Sequence, residues 1–168
     1  MIILESDRLY VRKYVTTDLQ NFYLLNSDPE VMQYIRPVKN QEESKQFLKE
    51  VISFSEQHPR LGRWALMSKQ NDQFVGSLSM LPLDHTNDIH LGYALLKSYW
   101  GLGYASEIAK AGIQYALEVL QLDTLTAVTD PENLASQQVL LKNGFYFERL
   151  FEEEGKKNHL YRLNKQVA

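Results

Sequence analysis

The chain has 168 residues, of which 44% are apolar and 23% charged, with a net charge of −3 and no cysteine. That length supports a hydrophobic core without covalent staples, and the missing cysteine excludes a disulfide framework, a thiolate metal site and a thiol nucleophile. The four histidines have no ligand-like spacing and there is no dense Lys/Arg run, so neither a metal nor direct nucleic-acid binding is expected. No 18-residue apolar span exists and a charge arrives at Glu5, which argues against a membrane span or a signal segment. The expectation is one cytoplasmic domain over residues 1–168.

In chain order, Arg8 to Lys13 alternates polar and apolar residues and reads as a first strand. Thr16, Thr17 and Asp18 offer caps to a helix through Asn26, and Asp28-Pro29-Glu30 starts a short turn from Val31 to Tyr34. Pro37 ends that segment, and a longer helix runs from Asn40 to Gln57 with Phe47, Leu48, Val51 and Ile52 inward. Trp64 to Met67 and Phe74 to Leu83 form a hairpin around Lys69-Gln70-Asn71-Asp72. A polar loop, Asp84 to Asp88, leads to a strand from Ile89 to Leu96.

After that strand comes Ser98-Tyr99-Trp100-Gly101-Leu102-Gly103-Tyr104-Ala105-Ser106-Glu107, and then a helix with small and apolar residues at 105, 108, 109, 112, 113, 116, 119 and 120. Asp123 to Thr129 is a short strand, and a helix from Asn133 ends at Lys142-Asn143-Gly144. Phe145 to Phe151 and Leu160 to Leu163 close the chain as a hairpin across the charged loop 152–157. The strand–helix–strand unit from 89 to 129 requires one right-handed parallel crossover in an otherwise antiparallel sheet.

Two glycines therefore sit where a strand passes into a helix, where unpaired N–H groups can receive an anion. A dinucleotide fingerprint would need a third glycine at position 106, which is serine, and the Gly-Lys-Ser/Thr of a nucleotide-binding loop is missing. A shorter anion cradle is what remains.

Gly92-Tyr93-Ala94-Leu95-Leu96 followed by Tyr99 to Glu107 resembles motif A of the GCN5-related N-acetyltransferases (GNAT), in particular the RimJ/RimL-type branch that acetylates ribosomal-protein N-termini. Leu4 to Arg12, Asp28 to Met32, and Asn133-Leu134-Ala135-Ser136 with Lys142-Asn143-Gly144-Phe145 are similar to further segments of that branch, so the resemblance covers most of the chain. It implies a mixed α/β fold: a twisted, mostly antiparallel sheet of about seven strands, splayed at the coenzyme A site and flanked by about four helices.

The resemblance further implies acetyl-CoA as cosubstrate, without a metal. Leu95 and Leu96 would pair with the pantetheine arm, and Ser98, Gly101, Leu102, Gly103, Tyr104 and Ala105 would hold the pyrophosphate. Ser98 departs from the Gln/Arg that commonly opens this motif. Asn133 would bond the pantetheine amide, or simply cap its helix. Lys142 would approach the phosphates.

Acetyl transfer to an amine needs a neutral amine, a donor for the oxyanion and a proton for the thiolate. A backbone N–H near Leu95 or Leu96 serves the oxyanion. His90 stands where relatives often carry glutamate and is the candidate base, with Asp88 as its substitute. The tyrosine that many relatives use as acid is replaced by Leu140, which leaves Ser136 as the candidate proton relay and Tyr93 or Tyr104 as contributors. Tyr34, Arg36 and Trp64 are expected to wall the acceptor pocket, with Arg36 suited to an acidic acceptor. Glu107 is expected to favour the helix dipole or form a structural pair.

The expected activity is direct acetyl transfer to a primary amine, either a protein or peptide N-terminus or a small molecule. The alternative is a coenzyme A-binding sensor or interaction module without transfer. The closing hairpin is a surface on which a second copy could pair.

Overall fold

The computed structural model describes residues 1–166. Eight strands, β1 (Ile2–Glu5), β2 (Leu9–Lys13), β3 (Gly62–Ser68), β4 (Phe74–Pro82), β5 (Ile89–Leu95), β6 (Thr124–Thr129), β7 (Tyr146–Glu153) and β8 (Lys156–Asn164), form one sheet in the order β1-β2-β3-β4-β5-β6-β8-β7. Only β5 and β6 run parallel. Five α-helices accompany the sheet among the described residues: α1 (Leu19–Ser27), α2 (Pro29–Met32), α3 (Gln41–Gln57), α4 (Tyr104–Glu118) and α5 (Leu134–Lys142). No helix among the described residues is long and apolar enough to cross a membrane.

The expected mixed α/β architecture is present, with one strand more than the sequence suggested. The extra strand is β1: Ser6 donates its backbone N–H to Leu9 O, so the opening segment folds into a hairpin instead of one strand. The charged stretch 152–157 is also more regular than a loop. Glu152 faces Lys157 and Glu153 faces Lys156 across the β7–β8 ladder. This leaves Glu154 and Gly155, both at positive φ, as a two-residue turn.

Strand alternation divides the interior in two. On one face α4 packs Ile108, Tyr115 and Ala116 against Leu78, Met80, Leu91 and Leu125. On the other, Phe22, Leu25, Met32, Leu48 and Val51 from α1 to α3 cover Ala65, Met67 and Ala94. Helix α3 is fixed at its start by a reciprocal cap, with Asn40 and Glu43 each accepting the other's backbone N–H.

Where β4 meets the end of β5, Gly76 lies opposite Leu95. A Cβ at residue 76 would stand 2.0 Å from Ala94 O and 2.9 Å from Leu95 Cα. These are backbone atoms that cannot step aside, so only glycine lets β5 approach this closely. Gly76→Ala is therefore expected to lower the urea midpoint, by about 3 kcal/mol of stability. An unchanged midpoint would contradict the packing described.

Candidate active site

The site begins with a ladder that stops. Strands β5 and β6 pair only at His90 and Thr126, where Thr126 Oγ1 donates to Ile89 O at 2.8 Å. From there β5 stays with β4 up to Leu95, and β6 stays with β8 up to Thr129. The two strands diverge, and their carboxyl ends deliver α4 and α5 to the mouth of the opening.

Antiparallel pairing with β4 decides which backbone groups face that opening. Leu96 N–H is spent on Val75 O at 2.9 Å, and Leu95 O accepts the Trp100 indole N–H at 2.9 Å. Of the two residues expected to meet the pantetheine arm, Leu96 therefore has its N–H committed elsewhere. Alternation turns the N–H groups of Tyr93 and Leu95 toward the gap.

Gly101 and Gly103 adopt φ of 75° and 80°, which a side chain resists, and Gly103 is the N-cap of α4. No side chain caps this helix. Among the described residues, the backbone N–H groups from Gly101 through Leu102, Gly103, Tyr104 and Ala105 to Ser106 have no acceptor in the chain. The Tyr99 and Trp100 N–H groups are consumed within the turn at Lys97–Tyr99. The continuous run of unpaired N–H groups therefore starts at Gly101, while exposed Ser98, inside that turn, also has no acceptor for its N–H among the described residues.

The helix end is held rigidly. Glu107 accepts from Ser6 Oγ, Arg8 N–H and Arg8 Nε, the last at 2.7 Å, which staples the β1–β2 turn to α4. Burial opposes the Glu107 charge, yet these hydrogen bonds prevail and hold its carboxyl below the usual range. Arg8 also lies over the Tyr104 ring at 4.3 Å. Asn143 donates to Ser106 Oγ at 3.2 Å, which brings the end of α5, and exposed Lys142 with it, beside the start of α4. Asn133 caps α5 by accepting Ser136 N–H, leaving its own amide N–H₂ without a partner in the described chain.

The polar groups that are candidates for the chemistry fall on opposite sides of β5. On the α4 side, Tyr93 Oη and Ser136 Oγ lie 3.2 Å apart, a hydrogen bond that spans the opening from β5 to α5. Burial, only partly offset by Ser136, raises the Tyr93 pKa and keeps the phenol protonated. Leu140 is buried in the core, as an apolar residue should be. The sequence placed Tyr93 behind Ser136 because nothing in strand periodicity reveals a partner 43 residues away.

On the opposite face stands His90, in register with Leu81 of β4. Burial first, and then the Arg63 charge, push its pKa down to about 4, against a small opposing effect of Asp84. His90 is thus neutral at physiological pH. Asp88 does not substitute for it: its two oxygens receive the Arg162 guanidinium at 3.1 and 3.0 Å, tying the start of β5 to β8. His90 and Ser136 are not brought into contact, because they project from different sides of the strand.

A cavity of about 340 Å³ opens beside α2, lined by Pro29, Met32, Arg36, Pro37 and Val38, with Lys156 from the start of β8. Arg36 is thus part of a cavity wall. Tyr34 is half-buried in the following turn and does not line this cavity. Trp64 corrects the sequence expectation. It is completely buried on the α4 side, edge-on to Tyr115 with ring centroids 5.8 Å apart. Alternation along β3 gives the opposite face to its neighbour Arg63, whose guanidinium stands 5.5 Å from the Phe47 ring, the same ring that Arg36 approaches to 5.1 Å. The signal was the parity of the strand; the larger side chain drew attention to the wrong face.

Among the described residues, no group of three or more His, Cys, Asp or Glu side chains could hold a metal ion. The family profile described as "Acetyltransferase (GNAT) domain" matches residues 8–146. The uncharacterized N-acetyltransferase YoaA of Bacillus subtilis is 29% identical, over 85% of this chain and 82% of its own. A GNAT-family acetyltransferase structure from Bacillus anthracis superposes with a TM-score of 0.84 at 23% identity, covering 98% of both chains. The ribosomal L7/L12 alpha-N-protein acetyltransferase RimL, in complex with coenzyme A, superposes with a TM-score of 0.81 at 20% identity, again over 98% of both chains.

The chain belongs to the GNAT acetyltransferase family. Its activity is the acetyl-CoA-dependent transfer of an acetyl group to an amine.

The depressed pKa of His90 has a consequence for stability. The folded state resists protonating this ring until about pH 4, whereas the unfolded chain takes up the proton near the ordinary histidine value of 6.5. Between those values the unfolded state binds more protons, so stability falls as pH falls. Urea titrations of His90→Gln are expected to show a shallower loss between pH 6.5 and 4 than the native chain. Parallel losses would contradict the assignment.

Proposed function

We propose that the opening between β5 and β6 receives acetyl-CoA and that the acceptor is a primary amine entering from the side of α2 and the β7–β8 turn. Acetyl-CoA supplies the activated acetyl thioester. The free N–H groups of Gly101 to Ser106 hold its pyrophosphate at the positive end of α4, and Lys142 adds charge beside them. Tyr93 and Leu95 offer backbone groups to the pantetheine arm as an added strand would use them, and the Asn133 amide supplies a further donor. The Leu95 N–H, not that of Leu96, stabilises the oxyanion.

His90 accepts the proton of the attacking amine, directly or through water. Its neighbour Arg63 makes the surroundings cationic, which favours the neutral amine over the ammonium. Tyr93 Oη donates a proton to the departing thiolate and is recharged through Ser136. The observation that carries this reading is the Tyr93–Ser136 hydrogen bond, placed across the opening beside an uncapped helix end. The amine is that of a protein N-terminus, as the name of RimL states for that protein, or of a small molecule.

Tyr93→Phe keeps the ring and removes the proton. Steady-state assays are expected to show kcat lowered by about 100-fold, with calorimetric affinity for coenzyme A unchanged. A Tyr93→Phe enzyme with full kcat would remove the phenol from the mechanism. The deficit of His90→Gln is expected to shrink as pH rises, because more of the amine is already neutral.

A further inference from the structure

Arg36 and Arg63 form a cationic pair without a counterion. Both guanidinium groups approach the ring of Phe47, and Lys39 Nζ joins them at 5.0 Å. Among the described residues no carboxylate lies within 4 Å of either arginine. Arg63 donates no hydrogen bond there. Arg36 gives one, at 3.0 Å to Oδ1 of Asn26, while its Nε is buried with no partner. Asn26 is itself 1% exposed and donates to Phe22 O, so this guanidinium is held in a fixed place. Burial and the neighbouring charge push the Arg36 pKa down to about 9, and burial lowers that of Arg63. Both stay charged at neutral pH. An unpaired charge is costly even where it is half-buried, as both arginines are, and a chain that keeps two has them ready for an anion.

The position of the pair says what kind of molecule carries the anion. Arg63 faces Ser79 on β4, and Ser79 faces Gly92 on β5, so one short row leads from the arginine toward His90 on the same side of the sheet. A Cβ at residue 92 would lie 2.7 Å from Ser79 Oγ, and glycine keeps this floor low. Two strand spacings and two residues separate Arg63 from His90, about 12 Å between backbones, close enough for the Arg63 charge to act on the His90 ring. The cavity beside Arg36 has Arg36 and Lys156 as its charged lining and no acidic residue.

We infer that the acceptor is a small molecule whose amine and anionic group, a carboxylate or a phosphate, lie within a few bonds of each other. Arg36 and Arg63 bind the anion while the amine is presented to His90. This rests on the acetyl-acceptor reading above. It also completes that reading: an anion on Arg63 offsets the positive field that weakens His90 as a base, so the proton acceptor is strengthened when substrate is bound.

The test is calorimetric binding to the enzyme saturated with coenzyme A, together with acetylation read by mass spectrometry. The probes are matched pairs: L-alanine beside L-alaninamide, and O-phosphoethanolamine beside ethanolamine, with an uncharged tripeptide amide as the peptide arm. The amide carries the less basic amine, so a preference for the acid cannot come from amine reactivity. At least tenfold tighter binding and higher kcat/KM are expected for the anionic member of one pair, and the pair that responds names the anion. In Arg63→Gln and Arg36→Gln the ratio is expected to collapse toward one, with partial retention in Arg63→Lys. Arg63→Gln is also expected to melt no lower than the native chain, since it removes an uncompensated charge. Coenzyme A binding reports that each variant is folded, and Arg36→Gln carries the test if Arg63→Gln is not. Equal binding of both members, a ratio that survives both substitutions, or a tripeptide amide preferred to every small amine would overturn the inference. Anion-selective binding without acetylated product would uphold the anion-binding role of the two arginines and refute the acetyl-acceptor reading on which the inference rests.

Discussion

Everything at the site depends on one pair of strands that meet at His90 and Thr126 and then part. Each remains laced to its outer neighbour, β5 to β4 and β6 to β8, so the sheet keeps its strength on both sides of the gap. Backbone groups along the inner edges are left without protein partners, a state that water or a ligand must relieve. The same divergence sets the starts of α4 and α5 at the mouth, where N–H groups are free because no side chain caps α4. The close approach at Gly76 holds the end of β5 against β4 and so keeps the opening on the β6 side.

The pattern of counterions separates scaffold from site. Arg8 pairs with Glu107, Arg12 with Asp18, and Arg162 with Asp88 and Glu148, each holding two elements together. Arg36 and Arg63 have only a ring and an amide. If they served stability alone, an apolar side chain would serve as well or better. Their retention on the His90 face of the sheet, with Arg36 lining the cavity beside α2, is what a donor-side reading of the fold leaves unexplained and an anionic acceptor accounts for.

Local features were legible in the sequence wherever the chain's own neighbours decide them. Gly101 and Gly103 announced a strained turn at a helix start, and Asn133 announced a cap, because both depend on residues within four positions. Asp28-Pro29 and the 3.6-residue spacing through α3 and α4 did the same for the helices. Features fixed by distant partners were not legible. Asp88 read as a free carboxylate until Arg162, 74 residues on, took it. Tyr93 meets its hydrogen-bond partner Ser136 only in the fold. Trp64 and Arg63 are adjacent in sequence and on opposite sides of the sheet, so an error of one residue in face exchanged a core side chain for the one at the site.

The central claim is that the ligand completes the broken ladder between β5 and β6 and the uncapped start of α4. Amide hydrogen exchange with and without acetyl-CoA tests it most directly, because it reads backbone N–H groups one by one. The expected result is strong slowing at Gly101 to Ser106 and at Leu95 on binding, with Leu96, already paired to Val75, unaffected. Protection concentrated elsewhere, with those amides exchanging as before, would contradict the account.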